Sequence, residues 1–205
     1  MGSVHVAENV ALRKTIAEIG VQAALYRLED YVAGVSGRTE PLDRLQDLST
    51  VFSSDGVQAY CDLSNDAVKL TIGLGFYGSD LRGVVSKSIN LPEERVTPSI
   101  IQDFAREYLN VVLGGVKKLL GAQGVDMNMG IPDSYVKESA LSQVRRGLEF
   151  VEGYKVLSDQ AIFEIKVCVG LVNPQALAHV KPQDVKQFFE TKQAEVDIDS
   201  LFDAL

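Results

Sequence analysis

The stretch from Thr97 to Gly121, TPSIIQDFAREYLNVVLGGVKKLLG, predicts the clearest helix of the chain. Threonine caps the free amides of a first helical turn, and proline is favoured at the first helical position. Gly121 is of the residue type that most often ends a helix. At about 100° per residue, one face of this helix is apolar throughout. We expect that face to be buried; it carries Ile101, Ala105, Tyr108, Val112, Val116 and Leu119.

The opposite face carries polar and small residues within about 80° of arc. We label this predicted helix α3 and call the polar face the α3 stripe; it consists of Asp103, Glu107, Asn110, Gly114 and Lys117. An ordinary solvent-exposed face has a similar composition. Two members are nevertheless unfavourable here, because asparagine is a poor helix former and a mid-helix glycine costs about 1 kcal/mol relative to alanine. A glycine one turn after an asparagine leaves the backbone bare, which predicts a surface that a large partner approaches closely.

The rest of the chain predicts an α+β domain, with an antiparallel sheet packed against two long helices. A second long helix is expected over residues 8–33, and a short helix or turn over 41–48. Turn residues at Asn65-Asp66 and at 78–80 separate the first three strands. The predicted strands are 57–63, 68–76, 81–89, 148–157 and 161–172.

Composition excludes several classes of function. The 20 basic and 28 acidic residues give a net charge of −8, which repels phosphate backbones and argues against a nucleic-acid partner. No apolar run reaches the roughly 18 residues of a membrane span, and the N-terminus lacks a signal-peptide pattern, so we expect a cytoplasmic protein. Two cysteines and two histidines without metal-ligand spacing predict no metal or other cofactor of its own.

Asn173-Pro174 is a boundary signal, and the chain beyond it is acidic. From 175 to 205 there are three lysines and six acidic residues. We therefore predict a folded domain over residues 1–173 and an acidic tail over 174–205, with a short helix at 182–192.

The α3 stripe resembles the E-x-x-N-x-x-x-G-x-x-K signature of the CheC/CheX/FliY chemotaxis phosphatases. The longer form of that signature has an Asp or Ser four residues before the Glu, which Asp103 matches. It also has a proline a little over twenty residues after the Asn, and Pro132 lies one residue short of that spacing. A single E-x-x-N helix is typical of the CheX branch. The resemblance extends over about residues 8–172.

This resemblance implies a phosphatase that hydrolyses the phosphoaspartate of a CheY-like receiver domain in chemotaxis. Glu107 and Asn110 are the implied catalytic residues: Asn110 orients the attacking water, and Glu107 pairs with a receiver lysine. Gly114 lets the two backbones approach, while Asp103 and Lys117 are candidate partner contacts. The receiver is expected to supply the Mg²⁺, and a homodimer is implied.

Two alternatives remain open. CheX-like folds also resemble the middle domains of flagellar switch proteins, which assemble and do not catalyse, so a non-catalytic interaction protein is the second hypothesis. The third is a degenerate member of the family that binds receivers without hydrolysing the phosphoaspartate. The presence of both Glu107 and Asn110 favours the enzyme.

The last eleven residues, 195–205, alternate acidic and apolar side chains. A disordered solubilising tail is one interpretation. The other is a receiver-binding peptide, because this segment resembles the E-I-D-x-L-L/F peptide of flagellar switch proteins, with Asp197 in place of the Glu. The candidate contacts are Ile198, Asp199, Leu201 and Phe202.

Overall fold

The computed structural model of the protein describes residues 2–31, 38–41, 57–77, 81–135, 149–157 and 162–191. These residues form an antiparallel sheet with helices packed on it, so the predicted α+β class is confirmed. The helices are α1 (Gly2–Tyr31), α2 (Leu81–Ile89), α3 (Pro98–Gly121) and α4 (185–191). The strands are β1 (Arg38–Pro41), β2 (Val57–Ser64), β3 (Val68–Tyr77), β4 (Asn128–Met129), β5 (Asp133–Tyr135), β6 (Glu149–Leu157) and β7 (Ile162–Leu171).

The sheet has the strand order β1-β6-β7-β3-β2, and β4 and β5 share the outer edge of β2. All neighbouring strands are antiparallel. Helix α1 packs over β6 and β7, whereas α3 packs over β2 and β3. The short edge strands β4 and β5 therefore lie on the side of α3 that faces away from α1.

The core lies between the sheet and these two helices. Gly20 brings α1 close to the sheet, because a Cβ there would lie 3.3 Å from Val167 Cγ2. Tyr108 holds α3 in place: its ring meets Phe76 edge-on at 5.8 Å, and its hydroxyl donates to the carbonyl of Ala24 in α1 at 2.7 Å. Burial raises the pKa of Tyr108 well above its ordinary value, so this hydroxyl stays a donor.

The other face of the sheet contains a buried ion pair on β7. Lys166 Nζ lies 3.2 Å from Glu164 Oε2, and the two side chains are only 4% and 3% exposed. Directly paired residues of antiparallel strands point to the same face. Gly73 and Gly75 of β3 pair with Lys166 and Glu164, so the two glycines leave room for the long charged side chains.

Most predicted elements are confirmed, but residues 81–89 are a helix and not a strand. Leu81, Val84 and Val85 are buried at helical spacing, and this short helix packs beside α3. Two adjacent valines in these nine residues favour a strand. However, residues 81–89 pair with no strand of the described sheet. Helix α1 begins six residues before its predicted start, and the expected helix or turn at 41–48 lies outside the described residues except for Pro41, the last residue of β1.

Residues 174–191, which the sequence analysis assigns to the tail, pack on the domain. A 3-10 turn at Pro174–Leu177 leads to α4, which matches the short helix predicted at 182–192. The Phe189 ring stacks on Tyr26 at 5.2 Å, and the Arg27 guanidinium lies 4.6 Å from its centroid. Leu177, Val180 and Val185 are also buried.

Candidate functional site

Helix α3 positions the candidate site. The Thr97 hydroxyl accepts a hydrogen bond from the Ile100 amide, Pro98 is the first helical residue, and Gly121 is the last. All six residues predicted for the apolar face are buried. Because that face is fixed against the sheet and α1, the α3 stripe points away from the core, as predicted.

Two residues of the stripe interact directly. Asn110 Nδ2 donates to Glu107 Oε2 at 3.3 Å, one turn earlier on the helix. This contact engages the amide nitrogen of Asn110, so its carbonyl oxygen can accept a hydrogen bond from water. Asn110 is half-buried and Glu107 is exposed. The pair thus presents a neutral acceptor next to a carboxylate on an open surface.

The two outer members of the stripe lie further from Asn110. Asp103 is 60% exposed and forms an ion pair with Arg106, three residues later on the same helix. Lys117 is exposed two turns after Asn110. Helical geometry places both residues on the same face as Asn110, but the structure gives neither a contact with the Asn110–Glu107 pair.

The two adjacent glycines of α3 have different surroundings. Apart from its two neighbours in the chain and the nearby backbone of its own helix, no described atom lies within 4 Å of the place where a Cβ on Gly114 would be. A Cβ on Gly115 would lie 3.0 Å from Phe189 Cζ. Gly115 is thus explained by the packing of α4, whereas Gly114 leaves a bare patch of helix surface one turn from Asn110.

Strand β5 packs against α3, and the segment just before β5 carries one exposed residue without a predicted role. Ile131 precedes Pro132 and is 93% exposed. Pro132 is a residue of the predicted signature, whereas Ile131 has no predicted role. The sequence signal for this residue is an isoleucine between a glycine and a proline, in a stretch with the composition of a turn.

The four candidate contacts of the tail, at positions 198, 199, 201 and 202, lie outside the described residues. Among the described residues, no cluster of histidine, cysteine, aspartate or glutamate side chains is arranged to hold a metal ion. In the same part of the chain, no helix combines the length and apolar character needed to cross a membrane.

No protein-family model and no curated protein matches the chain in sequence. Solved structures do match in fold. CheX from Vibrio vulnificus is 15% identical with a TM-score of 0.55, over 77% of this chain and 97% of that one. A chain of the CheX–CheY–beryllofluoride–Mg²⁺ complex from Borrelia burgdorferi is 19% identical with a TM-score of 0.58, over 75% and 96%. A CheC-like protein from Shewanella oneidensis is 18% identical with a TM-score of 0.54, over 74% and 95%.

The chain therefore has the fold of the CheX and CheC-like chemotaxis proteins. This is the fold that the resemblance of the α3 stripe predicted, and that prediction is confirmed. Nearly the whole length of each of these solved chains aligns with this protein, so the structural similarity covers a complete domain of that type.

Proposed function

We propose that this protein is a phosphatase that accelerates hydrolysis of the phosphoaspartate on a CheY-like receiver domain. The Asn110–Glu107 pair, on the outward face of α3 beside the open surface over Gly114, carries the proposal. The fold supports it, since one of the similar structures is a complex of CheX with CheY.

The proposed chemistry needs little from the protein beyond positioning. Water attacks the phosphorus in line, and the bond from phosphorus to the aspartate oxygen breaks. The products are inorganic phosphate and the free aspartate carboxylate of the receiver. The carbonyl oxygen of Asn110 accepts a hydrogen bond from the water and directs it at the phosphorus. An amide suits this position because it adds no charge beside an anionic phosphoryl group. The Mg²⁺ that offsets that charge belongs to the receiver.

Glu107 has two roles in this proposal. Its carboxylate accepts from Asn110 Nδ2 at 3.3 Å, which orients the amide. A carboxylate repels a phosphoryl group, so its second contact is with a cation, a lysine on the receiver. Glu107 is exposed in the free protein and is available for such a contact.

The central test is Asn110→Ala, with Asn9→Ala as a matched control that removes an asparagine from α1. Each protein is added to a phosphorylated receiver, and the loss of phosphate is followed with time. We expect the wild type and Asn9→Ala to accelerate the loss, and Asn110→Ala to leave the receiver at its intrinsic rate. Acceleration that survives in Asn110→Ala would refute the mechanism. A wild type that binds the receiver without accelerating hydrolysis would favour the non-catalytic alternative.

Glu107→Gln separates the two roles of Glu107. Glutamine keeps an acceptor for Asn110 Nδ2 but loses the charge. We expect KM for the phosphorylated receiver to rise by about two- to fivefold, as for the loss of one exposed ion pair, with kcat little changed. A fall in kcat at unchanged KM would contradict the lysine contact.

We also propose that the tail binds the receiver, through Ile198, Asp199, Leu201 and Phe202. Phe189 packs against Gly115, the neighbour of Gly114, so the chain continues into the tail from a point close to the stripe. The 14 residues from 192 to 205 can span up to about 45 Å when extended, enough to reach a partner bound there. Tethering raises the effective concentration of the receiver.

Deletion of residues 194–205 tests the role of the tail. It should raise KM and leave kcat unchanged, and an unchanged KM would remove the tail from the proposal.

The homodimer implied by the resemblance stays a prediction, which light scattering of the purified chain will test.

A further inference from the structure

The outer edge of the sheet contains a β-bulge beside α3. Strands β4 and β5 both pair with β2, but Met129 is opposite Leu63 and Asp133 is opposite Tyr60. Three residues, 130–132, therefore lie opposite two residues of β2. One extra residue in an edge strand bends the strand and redirects side chains, and such bulges are common next to functional sites.

The bulge is attached firmly to β2. The Gly130 amide donates to the carbonyl oxygen of Asp62 at 2.8 Å. A Cβ at position 130 would lie 3.3 Å from that same oxygen, so glycine permits this close approach. The result is an isoleucine, Ile131, that is 93% exposed, next to Met129, which is 44% exposed.

This edge is poorly suited to adding another strand. Pro132 has no amide to donate, and a bulge interrupts the regular ladder of backbone groups. Neither a second copy of the chain nor an extended peptide is expected to pair here. An exposed isoleucine at such an edge suits a contact between side chains, made with the surface of a folded partner.

The bulge lies at the sheet edge on the side of α3 that faces away from α1. One flank of α3 contacts α1, where Tyr108 donates to Ala24. Strand β5 packs along α3 at the sheet edge away from α1. The half-buried side chains of Gln102 and Arg106 occupy the flank between this edge and Asn110. We expect a folded domain that contacts Asn110 over the bare surface of Gly114 to extend across this flank to the bulge.

We infer that Ile131, with Met129 beside it, is an apolar docking point for the receiver domain whose phosphoaspartate reaches Asn110. This inference rests on the proposed function. The receiver surface that fits it carries an exposed apolar patch next to its phosphorylation site, separate from the lysine that pairs with Glu107. The docking point contributes binding energy and no chemistry, so it sets affinity and the choice among receivers.

The test compares Ile131→Ser with Val172→Ser. Val172 is also exposed, at 70%, but it follows β7, which β3 and β2 separate from the bulge. The probes are a panel of CheY receiver domains activated with beryllofluoride and Mg²⁺, including that of Borrelia burgdorferi. Binding is measured by titration calorimetry, dephosphorylation is measured in parallel, and circular dichroism verifies the fold of each variant.

We expect Ile131→Ser to raise Kd and KM by about tenfold or more, the effect of losing a buried isoleucine side chain, with kcat at saturation unchanged. Val172→Ser should stay within about twofold of the wild type in each quantity. Unchanged affinity in Ile131→Ser, or an equal loss in both variants, would overturn the inference.

The two readouts separate the inference from the proposed function. A wild type that binds a receiver without accelerating hydrolysis, with binding that depends on Ile131, supports the docking point and refutes the phosphatase. Accelerated hydrolysis with an affinity that does not depend on Ile131 supports the phosphatase and overturns the docking point. Binding to no receiver of the panel overturns the docking point.

Discussion

Replacing Gly114 and Gly115 by alanine, one at a time, should change the stability of the fold in opposite directions. The two residues are neighbours in the same helix, so their helix propensities are the same. Their surroundings differ: a Cβ on Gly114 enters space free of described atoms, whereas a Cβ on Gly115 lies 3.0 Å from Phe189 Cζ.

The expected magnitudes follow from these distances. Alanine in place of an exposed mid-helix glycine stabilises by about 0.5–1 kcal/mol. At position 115 the same gain is offset by overpacking, which typically costs about 1–3 kcal/mol. Phe189 cannot move away easily, because its ring stacks on Tyr26 and contacts the Arg27 guanidinium. We therefore expect Gly114→Ala to unfold about 1–4 °C above the wild type and Gly115→Ala to unfold below it.

Thermal and urea unfolding followed by circular dichroism measure this difference; the chain has no tryptophan for fluorescence. Destabilisation by Gly114→Ala, or stabilisation by Gly115→Ala, would refute the assignment of the two glycines to different contacts.

A larger side chain at position 114 tests why this residue is glycine. If a receiver approaches the bare backbone there, Gly114→Leu should raise KM for the phosphorylated receiver several-fold while the fold stays intact. A stable Gly114→Leu variant with unchanged KM would show that the partner does not contact this surface.

Three further predictions concern buried groups elsewhere in the domain. Phe189→Ala should lower the free energy of unfolding by about 3–5 kcal/mol, through loss of the stack on Tyr26, and a change below 1 kcal/mol in urea unfolding would contradict the packing of α4. Lys166→Met removes the ammonium 3.2 Å from the buried Glu164 carboxylate and should cost about 3–5 kcal/mol, more than the double variant with Glu164→Leu. Burial raises the pKa of Cys61 from 9.0 to about 11, so its stabilising contribution is complete below pH 9 and is lost as pH rises to about 11. Over that window the wild type should lose up to about 2–3 kcal/mol relative to Cys61→Val, and parallel pH profiles would show that the thiol does not ionise there.

Features set by neighbouring residues were predictable from the sequence. The cap at Thr97, the proline after it and the apolar spacing that ends with Gly121 depend on contacts within a few residues, and the helix forms as they indicate. The stripe follows from the same geometry, since a buried face determines the opposite one. The pairing of Asn110 with Glu107 is likewise a contact across one helical turn.

The misassigned residues show where local pattern fails. Residues 81–89 are short and contain adjacent valines, so spacing alone does not separate a strand from a helix. Packing beside α3 decides in favour of α2. The core position of Phe189 was missed because its partners, Tyr26 and Gly115, are distant in sequence.

By itself, then, the amino-acid sequence determined a capped helix with one buried face and a polar stripe, because periodicity and capping act over a few residues. The tertiary structure decided the surroundings of that stripe. Pairing of β2 with both edge strands creates the bulge that exposes Ile131, and packing of α4 covers Gly115 while Gly114 stays open. These features depend on residues far apart along the chain, which meet only when the sheet and helices assemble.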